Sequence, residues 1–363
     1  MPVFALAPGD LDPTFSGDGL LIDSINGFGD SFTARTVAIQ PDNKILIGGG
    51  AAGTYLALAR YNTDGSPDIS FGDTGKVTTI VDDYFEIQAV AVQTDGRIVA
   101  VACNPNAALS YFEVLRYAPE GYPDPSFGHG YGVVADGMGV GVNLAVAIAI
   151  QPDGGVLVAG SLNHQQSVLI RYKSDGSRDT SFGTGGVVVT AIGIANWTTS
   201  IVVQPDGKIV AAGASVDLEN VQRFALVRYN RDGSLDGTFG SNGIVRTNFE
   251  SSGPNRAVIA NSLSLQRDGR IVAAGRITTA SGETEFALAR YKSNGNLDST
   301  FDSDGKVTTP IYGGEATSVA VQSDGKVLAA GSPTDYTGQH DFDLVRYNAN
   351  GSLDIRHLAV VTA

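Results

Sequence analysis

Six side chains of this 363-residue sequence carry chemistry that its repeated patterns do not account for: Arg35, Glu86, Trp197, Asn261, Glu315 and His340. A guanidinium, two carboxylates, an amide and an imidazole can donate, accept or move protons. An indole offers a flat face on which a sugar ring or a base can stack, and equally a plug for an apolar gap. Arg35, Glu86, Asn261 and Glu315 stand at similar places, near the starts of β-rich runs, where solvated loop charges are the plainer reading. His340 is followed by Asp341 and lies near Asp343, which suits a local acid–base pair. His164 lies in a comparable segment, but no His-x-His or HExxH spacing points to zinc. No Walker loop or nucleophile elbow is present, and Gly137-Met-Gly-Val-Gly141 lacks the spacing of a dinucleotide loop. Two glycosylation sequons, Asn196-Trp-Thr and Asn350-Gly-Ser, are short enough to arise by chance.

The elements that must position these residues are announced by repetition. Arg-Tyr recurs at 60–61, 116–117, 171–172, 228–229, 290–291 and 346–347, at intervals of 55 to 62 residues. Between successive pairs lies a second phrase, as in VAIQPDNKILIGG (37–49), IVVQPDGKIVAAG (201–213) and VAVQSDGKVLAAG (319–331). Asp-Gly between two β-rich runs is a strong hairpin signal. A third run precedes Arg-Tyr, as in 224–229, and a fourth follows a Leu-Asp-x-x-Phe-Gly-like segment, as in 75–79 and 305–309. Four antiparallel strands per unit, six times over, predict an all-β, six-bladed β-propeller as one domain across 1–363. A β-helix fits less well, because its parallel strands leave no place for tight hairpins. Residues 10–23 match the segment that normally follows Arg-Tyr, yet no Arg-Tyr precedes them. Gly19–Asp23 is therefore expected to supply the outer strand of the sixth blade and close the ring, with 358–362 as the alternative.

The phrase ARYNxDGSLDxSFGxxGxV followed by AVAVQPDGKIVAAG resembles the delta-60 repeat family of bacterial β-propeller repeats, whose function is largely unassigned. The resemblance covers almost the whole chain. It implies the fold and a secreted or cell-surface setting, and it brings no catalytic residues to carry over. Departures are mild: Asn43 and Gly154-Gly155 alter the hairpin turn in units one and three, and Ala118-Pro119-Glu120 replaces Asn-x-Asp in unit two.

The formal charge of −14 disfavours nucleic acid and anionic membrane as partners and leaves cations and neutral ligands open. The opening MPVFALAPGD is too short and polar for a signal peptide, which keeps a cytoplasmic location open, and no run is long enough for a membrane-spanning helix. A monomer is expected. Cys103 is the single cysteine, so no internal disulfide can form, and buried filler is its expected role. Clustered Asp at the Asp-Gly turns suits Ca²⁺, although plain turn chemistry explains them equally well.

Repetition also sorts scaffold from site. A residue present in every blade is most simply explained by what every blade needs. The arginines of Arg-Tyr and the aspartates at 68, 124, 179, 236, 298 and 354 are therefore read as structural ion pairs. Function is expected in the segments that differ, the blade-to-blade crossings and the second-to-third loops, at the mouth of the central channel. The expected function is a binding or interaction protein for a small molecule, a glycan or a protein ligand. The alternative is a hydrolase or lyase using Asp/Glu, Arg and His at the same mouth.

Overall fold

The computed structural model describes residues 11–24, 32–51, 55–81, 85–104, 111–137, 143–162, 165–249, 256–311, 313–331 and 343–354. His340, His164, Asp341 and the alternative closing strand at 358–362 lie outside them. Two compact units divide the chain, one comprising 11–164 and 168–188, the other 165–167 and the residues from 189 onward.

The first unit holds three antiparallel sheets. These are β1 (Phe32–Ile39), β2 (Ile45–Ala51), β3 (Tyr55–Tyr61) and β4 (Lys76–Ile80); then β5 (Glu86–Val92), β6 (Ile98–Cys103), β7 (Tyr111–Tyr117) and β8 (Val133–Gly137); then β9 (Asn143–Ile150), β10 (Val156–Leu162), β11 (Gln166–Tyr172) and β12 (Val187–Thr190). The second unit holds β13 (Ala195–Val203), β14 (Ile209–Val216), β15 (Gln222–Tyr229) and β16 (Ile244–Thr247); then β17 (Val258–Leu265), β18 (Ile271–Thr278), β19 (Thr284–Tyr291) and β20 (Lys306–Thr309); then β21 (Ala316–Val321), β22 (Val327–Gly331) and β23 (Asp343–Tyr347). These are the six blades of a β-propeller, each a meander in chain order, the sixth with three described strands. Apart from a 3-10 turn at Gly128–Gly130, no helix occurs among the described residues, and none is long and apolar enough to cross a membrane.

Each repeated phrase has a structural task. The QPDG turn closes the first hairpin with glycine in the left-handed region, φ +81° at Gly207. The second and third strands are the apolar centre of each blade: β14 and β15 bury Ile209, Val210, Phe224 and Leu226. All six expected Arg–Asp pairs form, from Arg60–Asp68 at 2.6 Å to Arg346–Asp354 at 3.0 Å. In five blades a second cation, from the residue after the QPDG turn, reaches the same carboxylate: Lys44, Arg97, Lys208, Arg270 and Lys326. The third blade carries Gly155 there. The guanidinium also lies over the Phe of the Phe-Gly turn, 4.5 Å from the Phe239 ring centre for Arg228. The tyrosine of Arg-Tyr bonds a residue of the preceding outer strand, as in Tyr291 to Thr247 at 2.6 Å and Tyr347 to Thr309 at 2.6 Å.

The N-terminal segment departs from expectation. Residues 11–24 contain no strand, so Gly19–Asp23 forms no ladder among the described residues. Its contacts with the first blade nevertheless copy those between successive blades. Ser16 N–H donates to the Asp64 carbonyl at 2.7 Å, as Gly72 N–H donates to Glu120 at 2.7 Å. Tyr61 O–H donates to Asp23 Oδ2 at 2.9 Å, where Tyr117 meets Thr79. Lys76 adds a 2.7 Å ion pair to Asp23. The clasp stands as a proposal with a direct test. Deleting residues 1–24 is expected to lower the melting temperature and promote aggregation through unpaired edges. A truncated protein that stays monomeric and melts unchanged rules it out.

Candidate functional site

One irregularity recurs in all six blades. The first strand carries a β-bulge at the same place, and the extra residues are Arg35, Gln88, Val146, Thr199, Asn261 and Thr317. A bulge re-aims a side chain and breaks the ladder locally. It also explains the glycine that ends AAG. A Cβ on Gly213 would lie 1.9 Å from the Trp197 carbonyl oxygen, and one on Gly275 1.9 Å from that of Ile259. The second strand has no side chain there because the bulged strand comes too close. In the second blade Ala102 holds the equivalent position.

The expected site residues fall on this irregularity. Arg35 and Asn261 are bulge residues, and Glu86, Trp197 and Glu315 each stand two positions before a bulge. Trp197 is thus inside β13 rather than just ahead of it.

In the first unit the Arg35 guanidinium meets Glu86 Oε2 through Nη2 at 2.8 Å and Nε at 3.0 Å. The pair is half open to solvent, with Arg35 46% and Glu86 22% exposed at the side chain. Gln88 Nε2 donates to the Glu86 carbonyl at 3.2 Å.

In the second unit Asn261 Nδ2 donates to Glu315 Oε1 at 2.8 Å and to the Ala316 carbonyl at 3.0 Å. Arg276 Nη1 takes the other carboxylate oxygen, Oε2, at 2.6 Å. Glu315 is thereby clamped between an amide and a guanidinium, with about a third of the Arg276 and Glu315 side chains still in solvent. The same logic operates more quietly at Thr199, whose hydroxyl donates to the Ala260 carbonyl of the next blade at 2.5 Å. Trp197 is partly buried.

Two further residues belong to this description. Arg276 occupies the position after AAG, where the other blades carry Gly50, Cys103, Ser161, Ala214 and Ser332. One arginine among five small residues was a readable signal. The second is Asp217, just beyond β14, which accepts from Val221 N–H at 2.8 Å and pairs with Arg223. Arg223, then the Val221 amide, holds its carboxyl below the ordinary range. Asn196 proves to be a staple. Its Nδ2 donates to Ser167 Oγ at 2.7 Å and its Oδ1 accepts from Ile192 N–H at 2.9 Å. At 1% exposure this sequon is closed to a glycosyl transfer. Cys103 is buried, and burial pushes its thiol up to about 11.

The Asp-Gly turns behave as turns. Asp64 and Asp232 accept from the backbone and hydroxyl two residues on, Ser66 at 2.9 and 2.6 Å and Ser234 at 2.9 and 2.7 Å. Neutral Asn350 makes the same two bonds to Ser352. Carboxylate charge is therefore not what these positions require. Among the described residues no three His, Cys, Asp or Glu gather as a metal centre.

The model of a family described as "Domain of unknown function (DUF5122) beta-propeller" matches residues 40–71, 151–182, 204–239, 266–301 and 322–354. Five of the six repeats are thus similar to a β-propeller repeat family. No functionally curated protein is significantly similar to the chain. Among solved structures it is similar to a protein of unknown function from Dyadobacter fermentans, at 12% identity and TM-score 0.46 over 75% of this chain and 81% of that one. It is similar also to a PQQ-bound aldose sugar dehydrogenase from Streptomyces coelicolor, at 13% identity and TM-score 0.47 over 85% and 92%. A third is an endo-arabinanase from Bacillus licheniformis, at 12% identity and TM-score 0.37 over 74% and 94%.

Proposed function

We propose that the chain is a binding protein whose ligand-binding positions, in each unit, are built on the bulged ends of the first strands. The observation that carries this reading is that the bulge-linked positions vary from blade to blade. The turns at the opposite ends keep their Asp, Gly and Arg in nearly every repeat. A scaffold that holds its frame constant while changing the side chains at one strand end has the form of a loop-and-rim binding surface. Arg35–Glu86 and Asn261–Glu315–Arg276 present partly exposed donors and acceptors already fixed in orientation. Pre-fixed polar groups reduce the entropy lost on binding. Glycans and protein segments are the proposed ligands, and the −14 charge favours neutral or cationic ones.

Glycan-array and peptide-library probing of the wild-type chain, followed by calorimetry on the best hit, tests the proposal. Glu86→Ala, Trp197→Ala and Glu315→Ala are each expected to weaken binding by roughly tenfold or more, the worth of one charge-assisted bond or one stacked ring. Asp64→Ala and Asp232→Ala should leave it unchanged. If the turn variants abolish binding and the bulge variants do not, the site lies at the other end of the blades. Turnover of the bound glycan would favour the hydrolase or lyase reading instead.

A further inference from the structure

The turn ends of the blades are nearly uniform, and their departures from the repeat gather at one junction. Between the second and third blades, within the first unit, a cavity of about 360 Å³ opens among Gln93, Arg97, Arg116, Gly154 and Ser174. Three departures from the repeat coincide there.

First, the arginine of Arg-Tyr normally reaches forward. Arg60 Nη1 donates to the Pro119 carbonyl at 2.5 Å, Arg290 Nη1 to that of Ala349 at 2.5 Å, and Arg228 Nη1 to that of Ser293. The equivalent carbonyl for Arg116 is that of Ser174. Arg116 uses Nε on Asp124 and Nη2 on Ser126, and among the described residues its Nη1 makes no such forward bond.

Second, the glycine of the QPDG turn is normally covered. Pro119 lies over Gly96, Arg231 over Gly207 with its Nε donating to the Asp206 carbonyl, and Ala349 over Gly325. The fifth blade has a serine there too, Ser293, whose Cβ still reaches Gly269 at 3.9 Å, whereas beside the exposed Ser174 of the third blade a Cβ on Gly154 would meet nothing within 4 Å.

Third, Gln93, only 7% exposed, turns a buried Oε1 that has no donor among the described residues, and it lines this cavity. The same oxygen is unsatisfied in four other blades, and here its residue lines the cavity. A buried acceptor without a donor costs about 1–3 kcal/mol, so a partner is favoured at that point.

We infer that this junction is a second ligand site, for a small neutral polyhydroxylated molecule of monosaccharide size. The donor of Arg116 and the acceptor of Gln93 together ask for a group that both accepts and donates, which is what a hydroxyl does. The local cations are already matched: Arg97 pairs with Asp95 and Asp124, and Arg116 with Asp124. With Asp175 also in the lining and no cation left unmatched, nothing there draws an anion, and the hydroxyl of an uncharged ligand suits the donor and acceptor present. The volume lies at the lower end of the roughly 300–1,000 Å³ range of small-molecule sites.

The repeat supplies its own blocking variants. Ser174→Arg copies the fourth blade, where Arg231 covers the turn, and Ser174→Pro copies the second. Both substitutions are at an exposed position and leave the Arg–Asp pairs intact. Calorimetry with D-glucose, D-galactose, N-acetyl-D-glucosamine and myo-inositol on the full chain is the readout. At least one is expected to bind tighter than about 10 mM. Ser174→Arg should abolish that binding, Ser174→Pro should weaken it at least about tenfold, and both should melt like wild type. The Glu86→Ala and Glu315→Ala chains should bind it unchanged. Absence of binding across the panel overturns the inference, and so does binding that survives in both Ser174 variants or that is lost in the Glu86 or Glu315 variant. Since those variants address the opposite strand ends, the two proposed sites fail or stand separately.

Discussion

Arg228→Ala is expected to destabilise the fold by about 3 kcal/mol while leaving the ligand affinity of the folded protein intact. The guanidinium is 6% exposed and holds four partners: Asp236 at 2.7 Å, Thr238 at 3.2 Å, the Ser293 carbonyl and the Phe239 ring. Breaking a buried ion pair costs about 3–5 kcal/mol when the surviving charge is left uncompensated. Here Lys208 still reaches Asp236 at 2.8 Å, which places the loss at the lower end. Removing Lys208 as well should therefore cost more than the two single losses combined, because Asp236 then has no cation. Urea unfolding of the four chains measures this. Loss of binding at unchanged stability would show that the arginine belongs to a site and not to the frame.

Acid is expected to unfold the protein over a defined window. Burial by itself opposes ionisation of Asp68, but hydrogen bonds from Lys44, Ser70 and Arg60 outweigh it and hold the carboxyl far below the usual range. Asp236 is held far down in the same manner by Lys208, Thr238 and Arg228, against the same opposing burial. Asp124, Asp179 and Asp298 are lowered too, and Asp354 is lowered chiefly by Lys326. Each folded carboxyl thus gives up its proton more readily than in the unfolded chain, where aspartate titrates near about 3.9. Below that value the unfolded state binds more protons, so stability falls as pH falls. The contribution of these six groups is complete above about pH 5 and is lost progressively below about pH 4. Urea midpoints should be flat from neutral pH down to that point and then drop. A flat profile down to pH 2 would contradict the ion-pair account.

Fold and frame were legible in the sequence because they repeat. Six Arg-Tyr pairs, six partner aspartates and the QPDG turns give the same message often enough that one aberrant copy, such as Asn43 or Glu120, does not disturb it. The candidate site was legible only by subtraction. Arg35, Glu86, Asn261 and Glu315 were found because they break a pattern, yet the pairing of Arg35 with Glu86 and of Asn261 with Glu315 depends on the bulge. A bulge inserts a residue without changing composition or alternation over a short run, so hydrophobic periodicity cannot display it. Arg276 belongs to β18 rather than to a loop, and its pairing with Glu315 of the next blade is a contact that no local pattern displays. The Gly19–Asp23 segment shows the converse. Its likeness to the outer-strand phrase is real, but sequence likeness carries no information on whether a ladder forms.

The forward reach of the arginines has a consequence for how the chain is made. Arg60, Arg228 and Arg290 each complete their bonds with a carbonyl 59 to 65 residues later, in a blade that leaves the ribosome afterwards. Domains generally acquire structure in the order of synthesis, beginning at the N-terminus. A newly emerged blade of this protein therefore holds a half-finished ion site until its successor arrives, and consolidation trails elongation by one repeat. A stalled chain ends on its least consolidated blade, with the guanidinium of its last Arg-Tyr still short of a bond. Among the described residues Arg116 makes no such forward bond, so the ion site of the second blade is complete, on Asp124 and Ser126, before its successor arrives.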